Sequence, residues 1–201
     1  RTSVPVKLIS TDSSGRKVIH AEAQVELSHT VVKAVKPLSA LDLDVDERKM
    51  DELYAGNQLF HGTHFQGILQ IIRSGAQGLH AAVMTDASPK NWMKNPLRST
   101  WVGDPLLWDC CFQLMILWCR KFRNLPSLPT GVGGYQQFVK RIPAGIKEVI
   151  IQITAITNRE IQAKMDLLSE QGKLLARIEN YRCVMDASLD QAFQNNCLNP
   201  S

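Results

Sequence analysis

Two polar residues interrupt the most apolar stretch of the sequence. Between Leu106 and Cys119 (LLWDCCFQLMILWC) nearly every side chain is apolar, yet Asp109 and Gln113 stand four residues apart within it. In a helix that spacing puts both on one face, so a carboxyl and an amide point at one small place. A lone carboxyl in apolar surroundings is costly to ionise. Its pKa is expected to rise, leaving it a proton donor near neutral pH. Such an acid can protonate a departing hydroxyl, while Gln113 orients it or touches the substrate. A second reading stays open. Asp109 comes early in the helix, where free N–H groups and the dipole favour a carboxylate and lower its pKa. Buried polar groups are most often simply satisfied.

The other residue types able to do chemistry are few. His61 and His64 stand three apart, but no Cys, Asp or Glu nearby completes a ligand set, so no metal is expected. His20 and His80 fall in strand-like stretches and read as structural; His29 reads as an exposed linker residue. Tyr54, Trp92, Trp101 and Trp108 are read as core or rim. The GVGG of 131–134 lacks the lysine of a phosphate loop. Five cysteines, Cys110, Cys111, Cys119, Cys183 and Cys197, show no metal or redox spacing. They are expected to be reduced thiols of a cytoplasmic protein, three of them small core residues.

The elements that must hold these residues follow from pattern. Residues 4–9 and 17–27 read as two strands around the turn TDSSGR. Residues 28–50, with Pro37 and an acidic stretch at Asp42, Asp44, Asp46 and Glu47, read as a linker or surface crossing. A short helix is expected over roughly 64–73, a strand over 77–85, and the apolar helix over about 105–121. Residues 124–134 read as a loop rich in Pro and Gly. Four strands are then expected, over 135–142, 147–157, 160–168 and 173–185, with a hairpin turn at Glu170–Lys173. One helix apolar nearly all round plus an antiparallel meander implies a sheet wrapped around a central helix, the outline of a hot-dog fold in the α+β class.

Composition bounds the function. The chain has 201 residues, 44% hydrophobic and 21% charged, with a formal net charge of +4. Lys and Arg are scattered, so no nucleic-acid partner is expected. The apolar run 105–119 is shorter than the ~20 residues of a spanning helix and carries Asp109, so no membrane span is expected. The first residue is Arg, as in a fragment or a processed chain.

Local motifs add a resemblance. DPLLWDCCFQ resembles the motif around the catalytic aspartate in the dehydratase domains of polyketide and fatty-acid synthases: His-Pro, an apolar pair, then Asp-x-x-x-Gln or His. Pro105, Leu107, Asp109 and Gln113 match, while Asp104 stands where the family often has His. QLFHGTHFQGI resembles its Tyr-Gly-Pro-x-Phe-x-Gly motif; Gly62, Phe65 and Gly67 match, with His61 for Tyr and Thr63 for Pro. SLPTGVGGYQQF resembles its Leu-Pro loop, here Leu128 and Pro129, and DLLSEQGKLLARIENYRC its closing strands. The motifs run in order across residues 54–185. The departures resemble the dehydratase regions of polyunsaturated-fatty-acid synthases more than those of modular polyketide enzymes.

The resemblance implies a double hot-dog. Residues 1–50 would be terminal strands of an incomplete first hot-dog plus linker, and 51–201 the second. It implies removal of water from a 3-hydroxyacyl thioester to give a trans-2-enoyl thioester, with a His, supplied in the family by the first hot-dog, taking the proton beside the carbonyl, Asp109 as proton donor and Gln113 beside it. His61, Gly62, Phe65, Leu128 and Pro129 would line the substrate site. The acyl chain would arrive on the phosphopantetheine of an acyl carrier protein, beside neighbouring synthase domains, with no further cofactor, in a homodimer. The family's histidine motif, His-x-x-x-Gly-x-x-x-x-Pro, is absent: four residues after each of the five histidines stand Gln24, Lys33, Phe65, Ile68 and Met84. Three alternatives therefore stand beside the dehydratase: a non-catalytic hot-dog module, a hot-dog thioesterase, whose carboxylate activates water, and an unrelated α+β binding domain.

Overall fold

The computed structural model describes residues 2–39, 41–55, 58–85 and 88–195; Cys197 lies outside them. It divides into two compact units, Arg1–Val32 and Lys33–Ser201. The first is a hairpin of β1 (Thr2–Thr11) and β2 (Lys17–Leu27). Its turn closes on Asp12, whose Oδ1 accepts from the backbone N–H of Ser14 and Arg16, both at 2.9 Å. Gly15, at φ 83°, supplies the left-handed step. Val4 faces Val25, Val6 faces Ala23 and Leu8 faces Ala21, so one side of the ribbon is apolar.

The second unit holds a seven-stranded antiparallel sheet against one long helix, α2 (Pro105–Arg123). Its strands are β3 (Asp44–Val45), β4 (Ile68–Gly75), β5 (Gly78–Thr85), β6 (Ser127–Gln137), β7 (Gly145–Ile156), β8 (Glu160–Leu168) and β9 (Leu174–Met185). The order across the sheet is β3-β4-β5-β7-β8-β9-β6. Two short helices complete it, α1 (Met50–Ala55) and α3 (Leu189–Asn195). The sheet lies against α2 through β4, β5 and β6. Leu107, Leu114, Met115 and Leu117 of the helix are fully buried, each contributing about 1.5–3 kcal/mol by leaving water. This is the hot-dog arrangement that the pattern implies. No helix of the described residues is long and apolar enough to cross a membrane.

Three expectations are corrected. Residues 64–73 are not a helix: Thr63–Phe65 form a single 3-10 turn and the chain then enters β4. Residues 124–134 are not a loop throughout, because β6 starts at Ser127. Pro129 is tolerated there since β6 pairs only with β9 among the described residues. The expected strand over 135–142 accordingly ends at Gln137.

The acidic stretch after Pro37 is not merely a surface crossing. Asp46 is buried, with Arg48 at 2.6 Å, Lys121 at 2.9 Å and the Ser74 hydroxyl at 2.5 Å. Burial pushes its carboxyl up, but these three partners outweigh burial and hold it well below the usual range. Further along the sheet, Asp166 of β8 takes a two-pronged hold from Arg177 of β9, at 2.5 and 2.7 Å. The same pair clasps the linker: Leu38 N–H donates to Asp166 at 2.7 Å, and Arg177 donates to the Lys36 carbonyl at 3.0 Å. Each of these charges thus has a partner inside the protein.

Candidate active site

The site grows from the first turns of α2. Asp104 is its N-cap, accepting from the N–H of Leu106 at 3.0 Å and Leu107 at 3.2 Å, with Pro105 next. This is the position where the resembled family often carries His; here its carboxylate satisfies two otherwise unpaired donors. Asp109 therefore does not cap the helix. It lies a turn further in, and its neighbours are side chains.

Gln113 makes the arrangement specific. It is fully buried, and both ends of its amide are used. Its Nε2 donates to Asp109 Oδ2 at 2.5 Å and to the Phe65 carbonyl at 2.7 Å. Its Oε1 accepts from the Tyr54 hydroxyl at 2.7 Å, and that hydroxyl in turn accepts from the Ile68 N–H at 3.2 Å. A directed chain therefore runs from the backbone of β4, through α1, to the carboxyl on α2. Tyr54, which reads from sequence as core or rim, is thus part of the site. No signal in the sequence marks it, because 59 residues separate it from its partner and no spacing identifies such a pair.

The opposite wall is the turn between α1 and β4. His61 Nε2 lies 3.7 Å from Asp109 Oδ2, with only 11% of the His61 side chain exposed against 26% for Asp109. The ring stacks on Phe60 at 4.3 Å, and Phe60 packs on Phe193 of α3. Burial lowers the His61 pKa, opposed by the charge of Asp109. Burial raises the Asp109 pKa, opposed by the Gln113 amide and by His61. The two effects move the pair towards a neutral imidazole beside a neutral acid. The raised carboxyl agrees with the expectation from the apolar setting of Asp109.

Gly67 brings this turn close to the helix. A Cβ there would lie 2.7 Å from Cys110 Sγ and 3.0 Å from Leu106. Gly62, at the start of the 3-10 turn, has open space around it and no such constraint. Phe65 gives its carbonyl to Gln113, while its ring meets Trp92 edge-on at 4.7 Å; Trp92 in turn meets Trp101 at 6.2 Å. Trp108, next to Asp109, packs on Tyr135 at 3.9 Å.

Not all the expected residues converge. Leu128 and Pro129 stand at the beginning of β6, just past the C-terminal end of α2. Asp109 is near the N-terminal end, and the 14 residue steps from Asp109 to Arg123 span about 21 Å of helix. The structure does not bring Leu128 and Pro129 to Asp109. His64 is exposed, His80 pairs with Glu148 at 3.0 Å across β5 and β7, and His20 meets Ser10 at 2.6 Å in the hairpin. Cys110, Cys111, Cys119 and Cys183 are buried free thiols. Among the described residues, no group of three or more His, Cys, Asp or Glu is placed to hold a metal ion.

What this arrangement can do is acid–base work at one point: a desolvated carboxyl, held by a rigid amide, facing an imidazole. Comparisons with known proteins bear on the same region. Residues 29–192 match the family described as the polyketide synthase dehydratase N-terminal domain. One subunit of the polyunsaturated fatty acid synthase of Thraustochytrium sp. is 27% identical over 139 residues, which is 67% of this chain and 5% of that protein. Among solved structures, a trans-AT polyketide synthase dehydratase domain from Brevibacillus brevis superposes with TM-score 0.68 at 16% identity, covering 92% of this chain and 65% of that one. A trans-acyltransferase polyketide synthase enoyl-isomerase superposes with TM-score 0.59 at 13% identity, covering 89% and 67%. The chain thus spans about two-thirds of each of these solved structures and a small part of the fatty acid synthase polypeptide.

Proposed function

The chain belongs to the polyketide synthase dehydratase family, and from that premise we propose that it removes water from a 3-hydroxyacyl thioester, with Asp109 as the acid. In the step, a base takes a proton from C2. The C–H electrons become the C2–C3 double bond, the C3–O bond breaks, and Asp109 gives its proton to the leaving hydroxyl. The products are a trans-2-enoyl thioester and water. No electrons pass to an acceptor, so the step asks for an acid, a base and a polarised carbonyl. The acyl group comes on the phosphopantetheine of an acyl carrier protein, among neighbouring synthase domains. The stretch 51–201, with its Asp-x-x-x-Gln helix, corresponds to the second hot-dog of the pair.

The observation that carries this reading is the state of Asp109. Burial raises its pKa, Gln113 fixes it at 2.5 Å, and a quarter of the side chain remains open to an incoming group. A hot-dog thioesterase needs the ionised carboxylate to activate water, and burial works against that form.

The test is turnover of a 3-hydroxyacyl-pantetheine thioester by the wild type and by Asp109→Asn, following both enoyl product and free thiol. Enoyl product that disappears in Asp109→Asn supports the reading. Free thiol without enoyl product replaces it with a thioesterase. A shifted double bond in place of dehydration points to isomerisation.

A further inference from the structure

At the other end of α2 from Asp109 the chain builds a cavity of about 570 Å³. It is lined by Asp46, Arg48, Gln58, Arg120, Lys121 and Asn124. The 11 residue steps from Asp109 to Arg120 span about 16 Å of helix. No residue of the candidate active site lines this cavity.

The lining is rich in donors and poor in acceptors. Asp46 is its buried floor and draws two cations to one spot. Arg48 reaches it through Nε at 2.6 Å and Nη2 at 2.9 Å, and Lys121 through Nζ at 2.9 Å. Neither cation is used up. A guanidinium carries more N–H groups than one carboxylate accepts, and both side chains stay partly open, Arg48 at 27% and Lys121 at 39%. Arg120 is the third cation. Its Nη2 donates to Asp190 of α3 at 2.6 Å, while its Nε is buried with no hydrogen-bond partner. Asp190 does not line the cavity and is about half exposed, so it shares its charge with water.

Three cations thus face one carboxylate. The helix does not ask for this excess. Its C-terminal end carries about half a negative charge, which a single cation balances, and Arg123 stands in the same last turn. A carboxylate ligand has too few oxygens to meet three separate heads. A phosphate group presents three strong acceptor oxygens and up to two charges, and guanidinium groups match its geometry. The volume falls within the range of small-molecule pockets and leaves room for more than the phosphate itself. We propose that this cavity is an anion site for a small phosphate ester other than the substrate, held through its phosphate by Arg48, Arg120 and Lys121. The site makes no use of Asp109 and does not depend on the dehydratase reading.

The experiment is isothermal titration of the chain with pyrophosphate at low ionic strength, with folding checked by circular dichroism. Wild type is expected to bind with a Kd of about 1 mM or tighter. Arg120→Gln removes charged hydrogen bonds and should weaken binding about tenfold or more. Gln58→Glu breaks no ion pair and should weaken it as far, by placing a carboxylate in the lining; it decides the matter if Arg120→Gln does not fold. Arg98→Gln removes an exposed cation that lines none of this cavity and should bind as wild type does. Asp109→Asn should also bind unchanged. No binding by the folded wild type overturns the proposal. Equal losses in Arg98→Gln and Arg120→Gln overturn it too, making the attraction a property of the overall charge. Displacement of pyrophosphate by phosphopantetheine but not by ribose 5-phosphate also overturns it and gives the cavity to the substrate's arm. Displacement by both supports it.

Discussion

Replacing Gln113 by Met keeps the volume of the side chain and removes its three hydrogen bonds. The Phe65 carbonyl then loses one of its two donors, the Tyr54 hydroxyl loses its acceptor, and Asp109 loses the amide at 2.5 Å. Asp109 is partly open and can turn to water, and the carbonyl keeps the Gly67 N–H, so the Tyr54 hydroxyl proton is the group left buried and unpaired. That costs about 1–3 kcal/mol, and the apolar replacement returns part of it. The net expectation is a loss of about 1–2 kcal/mol in urea unfolding followed by tryptophan fluorescence. Tyr54→Phe removes the same bond from the other end and strands the Ile68 N–H. The double variant should therefore cost less than the sum of the two singles, by about 1 kcal/mol or more. The pH profile gives a second reading. The Gln113 bond lowers the Asp109 pKa against burial; without it the carboxyl rises further, and the alkaline limb of activity moves to higher pH. Additive costs, or a Gln113→Met loss below about 0.5 kcal/mol, would refute the idea of a connected chain from β4 to the carboxyl.

Other perturbations test neighbouring parts of the account. The folded-state pKa of Asp109 is raised above the ordinary 3.8. Its stabilising contribution is thus fully present below that pH and is lost as the pH rises through the folded value. Asp109→Asn should therefore unfold at a higher temperature than wild type at neutral pH, with the gain gone near pH 3.5, each tenfold difference in proton affinity being worth about 1.4 kcal/mol. Gly67→Ala drives a methyl against Cys110 and should cost about 1–3 kcal/mol in denaturant unfolding; adding Cys110→Ala should recover part of it. Arg177→Met leaves Asp166 buried without its cation and should cost about 3–5 kcal/mol. The double variant Asp166→Leu/Arg177→Met should cost less than Arg177→Met alone.

The chemistry-bearing helix is legible because its signal is dense. A long apolar run, a capping Asp104, Pro105 at the first position and two polar intruders leave little choice. The strands from Gly145 onward are legible by alternation. β4 is not, for a definite reason. Its pairing with β5 slips between Ile68 and Gln70 and again between Ile71 and Arg73. Each slip adds a residue to one strand, so Ile68 and Ile71, both buried, recur at a spacing of three and imitate a helix. β6 is hidden by Pro129 and three glycines, which weaken a central strand but are accepted at an edge. At the site, Asp109 and Gln113 are visible as neighbours on one helix. The approach of His61 to Asp109 and of Tyr54 to Gln113 depends on how the turn before β4 folds back, which no local spacing records.

The two ends of the sheet bear on how copies of the chain meet one another. A sheet that stops on a long regular strand offers a row of free N–H and C=O groups on which another molecule can add. Here one end is β3, with two residues, and the other is β6, where Pro129 lacks an N–H and the register slips before Gly131. Neither row is continuous enough to template a further strand. Growth of the sheet from copy to copy, the route to fibrous aggregates, is blunted at both ends.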